Sequence, residues 1–248
     1  QIIGQTKFLR ALYYFTLIRF YDHVVVIRET DNLNEETPSN QGTDDAAWTL
    51  IEEDLQYAES VLPIKWGDSD AGRATKGAAM AMLTKVYLTQ AGWPWNKAGF
   101  WEKAASKATE IINNEGAFGY GLEDNFRRIF DVTNEHGKEY IFDVEYQTNI
   151  NGQDIPALSG MRGYNIKKTD GWSSFISTPE FYKTYEVGDK RLSTTFVTEF
   201  TDMNTGKQYV YDPDNVMEPS FPLCHFAKYL DPNDNQSTKA GDYGCNWK

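Results

Sequence analysis

The residues best suited to chemistry here are flat aromatic side chains set among short amides and carboxylates. Trp172 and Tyr164 fall in the segment 163–174, which also holds Asn165 and Asp170. Tyr146 is followed by Asn149 and Asn151, and Trp93-Pro94-Trp95-Asn96 again joins indole to amide. Such rings combine a large apolar face with a polar edge. They can pack on the polarised C–H face of a sugar while the neighbouring amides and carboxylates bond its hydroxyls. Trp172, Tyr164, Asn165, Asp170, Tyr146, Asn149, Trp93 and Trp95 are therefore the candidate ligand contacts. Ordinary packing between loops and scaffold is the competing use of the same rings. Trp48 and Trp101 sit in helical stripes and are assigned to the core.

Other chemistries have weaker support. Two carboxylates about 5–10 Å apart can hydrolyse a glycosidic bond, and Asp143 with Glu145 is the first pair to consider. Their spacing puts both on one face of an expected strand, where they serve to solvate it. His23, His136 and His225 are scattered, with no H-x-x-x-H spacing and no serine elbow, and read as surface or hydrogen-bonded histidines. Asp231, Asn233, Asn235 and Asp242 carry calcium-loop spacing, but the sixth position is Gln236 instead of the required Gly, so no metal is assigned. Arg73 and Lys76 read as a polar helix start capped by Thr75, and no phosphate-binding loop is present. Cys224 and Cys245 are the only cysteines. They pair or stay free according to compartment.

The 248 residues are 40% hydrophobic, enough for a core, and no run reaches the roughly 18 apolar residues of a membrane span. A formal charge of −12, spread over both halves of the chain, disfavours nucleic acid. The 7 Trp, 15 Tyr and 14 Phe exceed what a core of this size needs, which puts aromatics at surfaces.

Four helices must carry the first half. Residues 6–21 are apolar on nearly every face, the pattern of a helix buried all round. Trp48, Ile51, Leu55, Ala58 and Leu62 recur at steps of three and four, from an entry near Thr43 or Asp44 to a stop at Pro63. A third helix starts at Thr75, carries Ala78, Ala79, Met82, Leu83, Val86 and Tyr87, and ends at Gly92. The fourth, about 98–114, turns Trp101, Ala104, Ala105, Ala108, Ile111 and Ile112 inward. Two hairpins with small residues between them have the look of tetratricopeptide units, although the loops are longer than the usual repeat allows. After Gly116 the pattern changes. Tyr140, Phe142, Val144 and Tyr146 alternate as a strand, 194–200 and 207–211 flank a turn at 202–206, and a short helix is expected at 179–185. The fold class is mainly α: tetratricopeptide-like hairpins over 1–115 and an irregular loop-rich lobe with a few short β-strands over 116–248.

Five blocks in order carry a family resemblance. They are Phe8-Leu9-Arg10-Ala11 with Phe20-Tyr21-Asp22-His23-Val24; Trp48 to Leu55 with Leu62-Pro63; Gly72-Arg73-Ala74-Thr75-Lys76-Gly77-Ala78-Ala79; Trp101 with Ala104-Ala105 and Glu139-Tyr140-Ile141-Phe142; and Thr178-Pro179-Glu180-Phe181 with Tyr185, Asp189 and Arg191. From about residue 5 to 195 the chain resembles the SusD/RagB family of outer-membrane nutrient-binding lipoproteins. Asp22-His23 and Val25 depart from the Gly-Asp and Pro common there.

The resemblance implies a surface position on a Gram-negative outer membrane and a lipid anchor on an N-terminal Cys outside this sequence. It implies an oligosaccharide ligand handed to a SusC-like TonB-dependent transporter, with no catalysis and no cofactor. A peptide-import member and a purely protein-binding helical module are the alternatives, and a glycoside hydrolase the least favoured. The chain begins inside a helical pattern and ends at Cys245-Asn246-Trp247-Lys248, and so reads as an interior excerpt of a longer protein.

Overall fold

Trp48, Ile51, Leu55, Ala58 and Leu62 lie along one stripe of a helix, and all five are buried. Packing around that stripe organises the first of two units, Gln1–Gly121 and Leu122–Lys248. The structure is a computed structural model describing residues 1–21, 23–31, 39, 44–144, 155–163, 166, 171–215, 221 and 223–230. In the first unit α1 (Ile2–Phe20) packs on α2 (Asp44–Val61), α2 on α3 (Lys76–Ala91) and α3 on α4 (Phe100–Asn113), followed by the short α5 (Glu115–Phe118). These are the tetratricopeptide-like hairpins the sequence leads one to expect.

Local chemistry sets the α3 start. The Thr75 hydroxyl accepts from the Ala78 amide at 3.1 Å, satisfying a donor that the helix leaves unpaired. Gly77 follows because Tyr120 lies against it: a Cβ there would stand 2.3 Å from the Tyr120 hydroxyl. Ala78 and Ala79 are buried, keeping the interface close.

One ion network ties α1, the following loop and α2 together. Asp54, on α2, is buried. Arg10 donates to it through Nε at 2.6 Å and Nη2 at 2.8 Å, and Lys7 through Nζ at 2.8 Å. Glu29 in the loop takes both cations at 3.1 Å, and its carboxyl falls to about 2 through a backbone hydrogen bond and those of Arg10 and Lys7. The Asp54 bonds raise the Arg10 and Lys7 values despite the opposing effect of burial.

Two expectations for these helices fail. The α1 helix is buried on one side only, through Phe8, Ala11, Phe15 and Ile18, while Ile2, Ile3, Leu9, Tyr13, Leu17 and Phe20 are exposed. Apolar residues all round therefore supply one packed face and one open apolar face. Trp101 is 56% exposed and Ile112 is exposed too; on α4 only Ala104 is buried. The helix turns a small residue toward α3, and its bulky residues stay outside.

In the second unit, α6 (Ile155–Ser159), α7 (Pro179–Lys183) and α8 (Leu192–Thr195) are short, and the strands form two antiparallel pairs. β1 (Ile176–Ser177) joins β4 (Cys224–His225) with Ile176 opposite His225. β2 (Glu199–Thr201) joins β3 (Gln208–Val210) with Phe200 opposite Tyr209, around the turn expected at 202–206. Thr178 caps α7 by accepting from Phe181 N at 3.2 Å. Thr194 and Thr195, at the start of the stretch 194–200 expected as a strand, are helical instead. The core is aromatic: Phe196 meets Phe181, Tyr182, Tyr185 and Phe226 at centroid distances of 5.4–5.9 Å.

The strand expected from Tyr140 to Tyr146 does not form across its described part. Residues 140–143 are irregular and Val144 makes a lone bridge. Tyr140 closes a turn to the Gly137 carbonyl at 3.0 Å, and its hydroxyl is taken by the Ile129 carbonyl. Asp143, expected to solvate that strand, is buried; Tyr146 and Glu145 lie outside the described residues. Cys224 is a free, buried thiol, and Cys245 and the candidate calcium loop also lie outside. Among the described residues no helix is long and apolar enough to cross a membrane, and no cluster of three or more acidic, His or Cys side chains could hold a metal.

His225 contradicts its expected role most sharply. It is fully buried, its ring nitrogens have no close hydrogen-bond partner among the described residues, and the Ser159 backbone is the polar group beside it, acting weakly against the effect of burial. Burial pushes its value down to about 4.

Two predictions follow from these contacts. Asp54→Ala should lower stability of the full chain by about 3 kcal/mol in urea unfolding, since it removes the buried acceptor of Arg10 and Lys7 and leaves them the exposed Glu29 alone; a loss below about 1 kcal/mol would show the pair to be solvent-screened. For His225 the folded state stays neutral while the unfolded chain takes up a proton near pH 6.5. Stability is thus complete above pH 6.5 and falls between about 6.5 and 4. The loss attributable to His225 is on the order of 3 kcal/mol. A His225→Leu variant should lack that portion in denaturant midpoints measured from pH 7.5 to 4; an unchanged pH slope would refute the assignment.

Candidate functional site

Trp172 stands in a short irregular segment of the second unit, 171–175, that runs alongside 158–162. The Gly171 amide donates to the Met161 carbonyl at 2.8 Å and the Ser173 amide to the Gly160 carbonyl at 2.9 Å. The Ser174 and Phe175 amides both reach the Leu158 carbonyl, at 2.7 and 3.0 Å. Across the pair, the Arg162 amide donates to the Ser173 hydroxyl at 2.8 Å. Met161, Gly160 and Ser159 are buried, so the supporting segment belongs to the core. Trp172 itself is 45% exposed, and Phe175 and Ile176 further along are exposed as well. The result is an indole face open to solvent on a backbone bonded on both sides of it.

The partners expected around it, Tyr164, Asn165 and Asp170, lie outside the described residues, as do Tyr146, Asn149 and Asn151. The other indoles among the described residues belong to the first unit. Trp93 is 86% exposed. Its loop is closed by Asn96 N donating to Gly92 O at 2.9 Å and Lys97 N to Gln90 O at 2.8 Å. Trp95 is half-buried, with its ring edge-on to Trp48 at 5.1 Å, and it anchors the loop from which Trp93 projects. Trp48 is in the core, as expected.

A cleft of about 310 Å³ opens beside this loop, lined among others by Asp45, Glu52, Glu53, Gln56, Lys97 and Phe100. Its charges answer one another. Lys97 pairs with Asp45 at 2.7 Å, Glu53 with Arg28 at 2.8 Å, and Glu52 accepts from Gln90 at 2.8 Å. The cleft therefore presents matched polar groups and no stranded charge. Sequence reasoning missed it, although the polar positions 45, 49, 52, 53 and 56 outline one outer face of α2 and were the available signal. It also missed Gly171 and Ser173, whose importance comes from a backbone contact that side-chain type does not announce.

Asp143 is buried and Glu145 lies outside the described residues, so the described residues do not place the carboxylate pair. The described aromatic sites offer contact surface together with hydrogen-bonding neighbours, which is the equipment of a binding protein.

Comparison with known proteins agrees with this picture. Residues 1–88 match the SusD-like family model described as starch-binding associating with outer membrane. SusD-like protein P2 of Formosa agariphila is 30% identical over 245 residues, covering 92% of this chain and 45% of that relative. The structure of a laminarin-binding SusD-like protein is 28% identical, with TM-score 0.76 over 98% of this chain and 55% of that one. A crystal structure with a xylogluco-oligosaccharide, at 23% identity and TM-score 0.74, shares the fold over 98% of this chain and 50% of its own. The chain thus spans about half the length of the relatives it matches. By the family match at its N-terminal end, the relatives along its length and the tetratricopeptide-like fold, it belongs to the SusD-like family.

Proposed function

We propose that this chain is the capture part of a cell-surface glycan-binding protein, with the second unit as the ligand-binding lobe. The observation that carries the reading is the Trp172 indole, open to solvent on a backbone segment hydrogen-bonded to the core. A flat exposed face gives contact area to a pyranose without a deep pocket, and the exposed Trp93 offers a second such face on the first unit. The relatives named for laminarin binding and for a xylogluco-oligosaccharide complex support a neutral glucan-type oligosaccharide. The net charge of −12 is compatible with neutral sugars and unfavourable for strongly anionic ones.

In this reading the protein binds and releases its ligand without chemistry, passing it to a SusC-like TonB-dependent barrel. It sits on the outer face of the outer membrane, held by a lipid anchor outside this sequence. The match to a family described as associating with the outer membrane supports that placement. Protein contact is a second role favoured by a specific observation: the uncharged outer face of α1, with Leu9, Tyr13, Leu17 and Phe20 exposed, is suited to an apolar partner surface.

The test is calorimetric binding of the full chain to laminarin and xyloglucan oligosaccharides, with reducing ends assayed alongside. Wild type should bind at least one class and release no reducing ends. Trp172→Ala should weaken that binding by about 1–2 kcal/mol with the melting temperature preserved. Wild-type affinity in the variant would remove Trp172 from the site, and steady release of reducing ends would replace capture by hydrolysis.

A further inference from the structure

Backbone geometry around Trp172 does more than connect it to the core. A Cβ placed on Gly171 would stand 2.2 Å from the Gly160 carbonyl carbon, 2.3 Å from its oxygen and 2.5 Å from its Cα. No side chain fits in that space, so the two segments run backbone on backbone only because position 171 is glycine. The neighbour on the other side, Ser173, takes a φ of 52°, in the left-handed region that a non-glycine residue enters at a cost. Its hydroxyl accepts the Arg162 amide at 2.8 Å, and its own amide is bonded to Gly160 at 2.9 Å. The residue before Trp172 and the residue after it are thus each fixed to one buried stretch, Gly160–Met161, whose Met161 belongs to the aromatic core.

We infer that Gly160, Gly171 and Ser173 are positioning residues for the Trp172 platform. They hold its backbone in a single conformation so that the indole meets a sugar already ordered. The inference rests on the glycan reading given above and adds to it the source of affinity. A surface indole on a mobile loop loses conformational freedom when a ligand settles on it; here the ladder has removed that freedom in advance. Ser173 matters twice. Its backbone turn redirects the chain after Trp172, and its hydroxyl closes the ladder across to Arg162. Neither Gly171 nor Ser173 needs to touch the ligand to have this effect.

The experiment is a double-mutant cycle in the full chain, read by affinity for a laminarin and a xyloglucan oligosaccharide together with thermal melting. The single variants are Ser173→Ala, which nearly keeps the side-chain volume and removes the hydroxyl that accepts from the Arg162 amide and donates to the Gly160 carbonyl, and Gly171→Ala, which forces the segments apart. Each is also made in the Trp172→Ala background. Positioning predicts that Ser173→Ala weakens binding about threefold and Gly171→Ala about tenfold with Trp172 present, and that neither changes the residual affinity by more than about twofold in its absence. Melting temperatures should fall equally in both backgrounds, since the ladder's structural role does not depend on the indole. Equal affinity losses with and without Trp172 would overturn the inference, as would wild-type affinity in both single variants. Should Gly171→Ala fail to fold, Ser173→Ala alone decides between these outcomes. If Trp172→Ala binds like wild type, or wild type binds neither sugar, the platform reading itself falls and the positioning role falls with it.

Discussion

The first unit depends on a carboxylate that has no access to water. Asp54 is buried beneath α1, and three donated hydrogen bonds from Arg10 and Lys7 replace the hydration it has lost. A buried charge is tolerable only when its partners are near and well aimed, so this pair fixes the rotation of α1 on α2. The same two cations hold Glu29, and through it the loop leaving α1. The Tyr14 hydroxyl, accepting from the Ile27 amide at 2.9 Å, secures that loop a second time. One polar cluster therefore determines which face of α1 is packed, and consequently which face is left open and apolar.

The second unit reaches order by a different route. Its helices and strands are too short to supply much regular hydrogen bonding, and aromatic rings fill the space instead, with Phe196 at their centre. Edge-on and stacked rings of this kind bury large areas while leaving loop paths free to vary. Arg127 adds a polar tie, donating to the carbonyls of Ala227 and Leu230 from far away in sequence. A lobe built this way can present an indole at its surface because a stiff core sits directly beneath the presenting segment. That coupling of an irregular surface to a rigid interior is what a loop-borne binding site requires.

The two candidate indoles Trp93 and Trp172 share a physical logic. Trp93 projects from a loop closed by backbone bonds and anchored by Trp95 against Trp48, and Trp172 from a ladder tied to Met161. In each case a buried neighbour absorbs the entropy cost of ordering, and the exposed ring keeps its contact surface.

The sequence by itself determined the helices of the first unit, because apolar spacing, the Thr75 cap, Pro63 and Gly92 act within a few residues of one another. It likewise determined the turn at 202–206, the α7 helix behind Thr178, and the family through ordered motif blocks. It marked Trp172 and Trp93 as candidates by their polar and glycine-rich surroundings. What it could not determine was which apolar residues would find a partner. Trp101 and the outer face of α1 carry a core-like pattern yet remain exposed, since burial depends on the arrival of another element and not on the helix that bears the side chain. His225 and Asp143 went the other way and are buried, His225 in a strand pair with Ile176, remote in sequence. The strand signal at 140–144 gave way to a turn once the Tyr140 hydroxyl found the Ile129 carbonyl. Only the tertiary structure brought Gly171 against Gly160, because that contact is between two backbones, and no side-chain type records it.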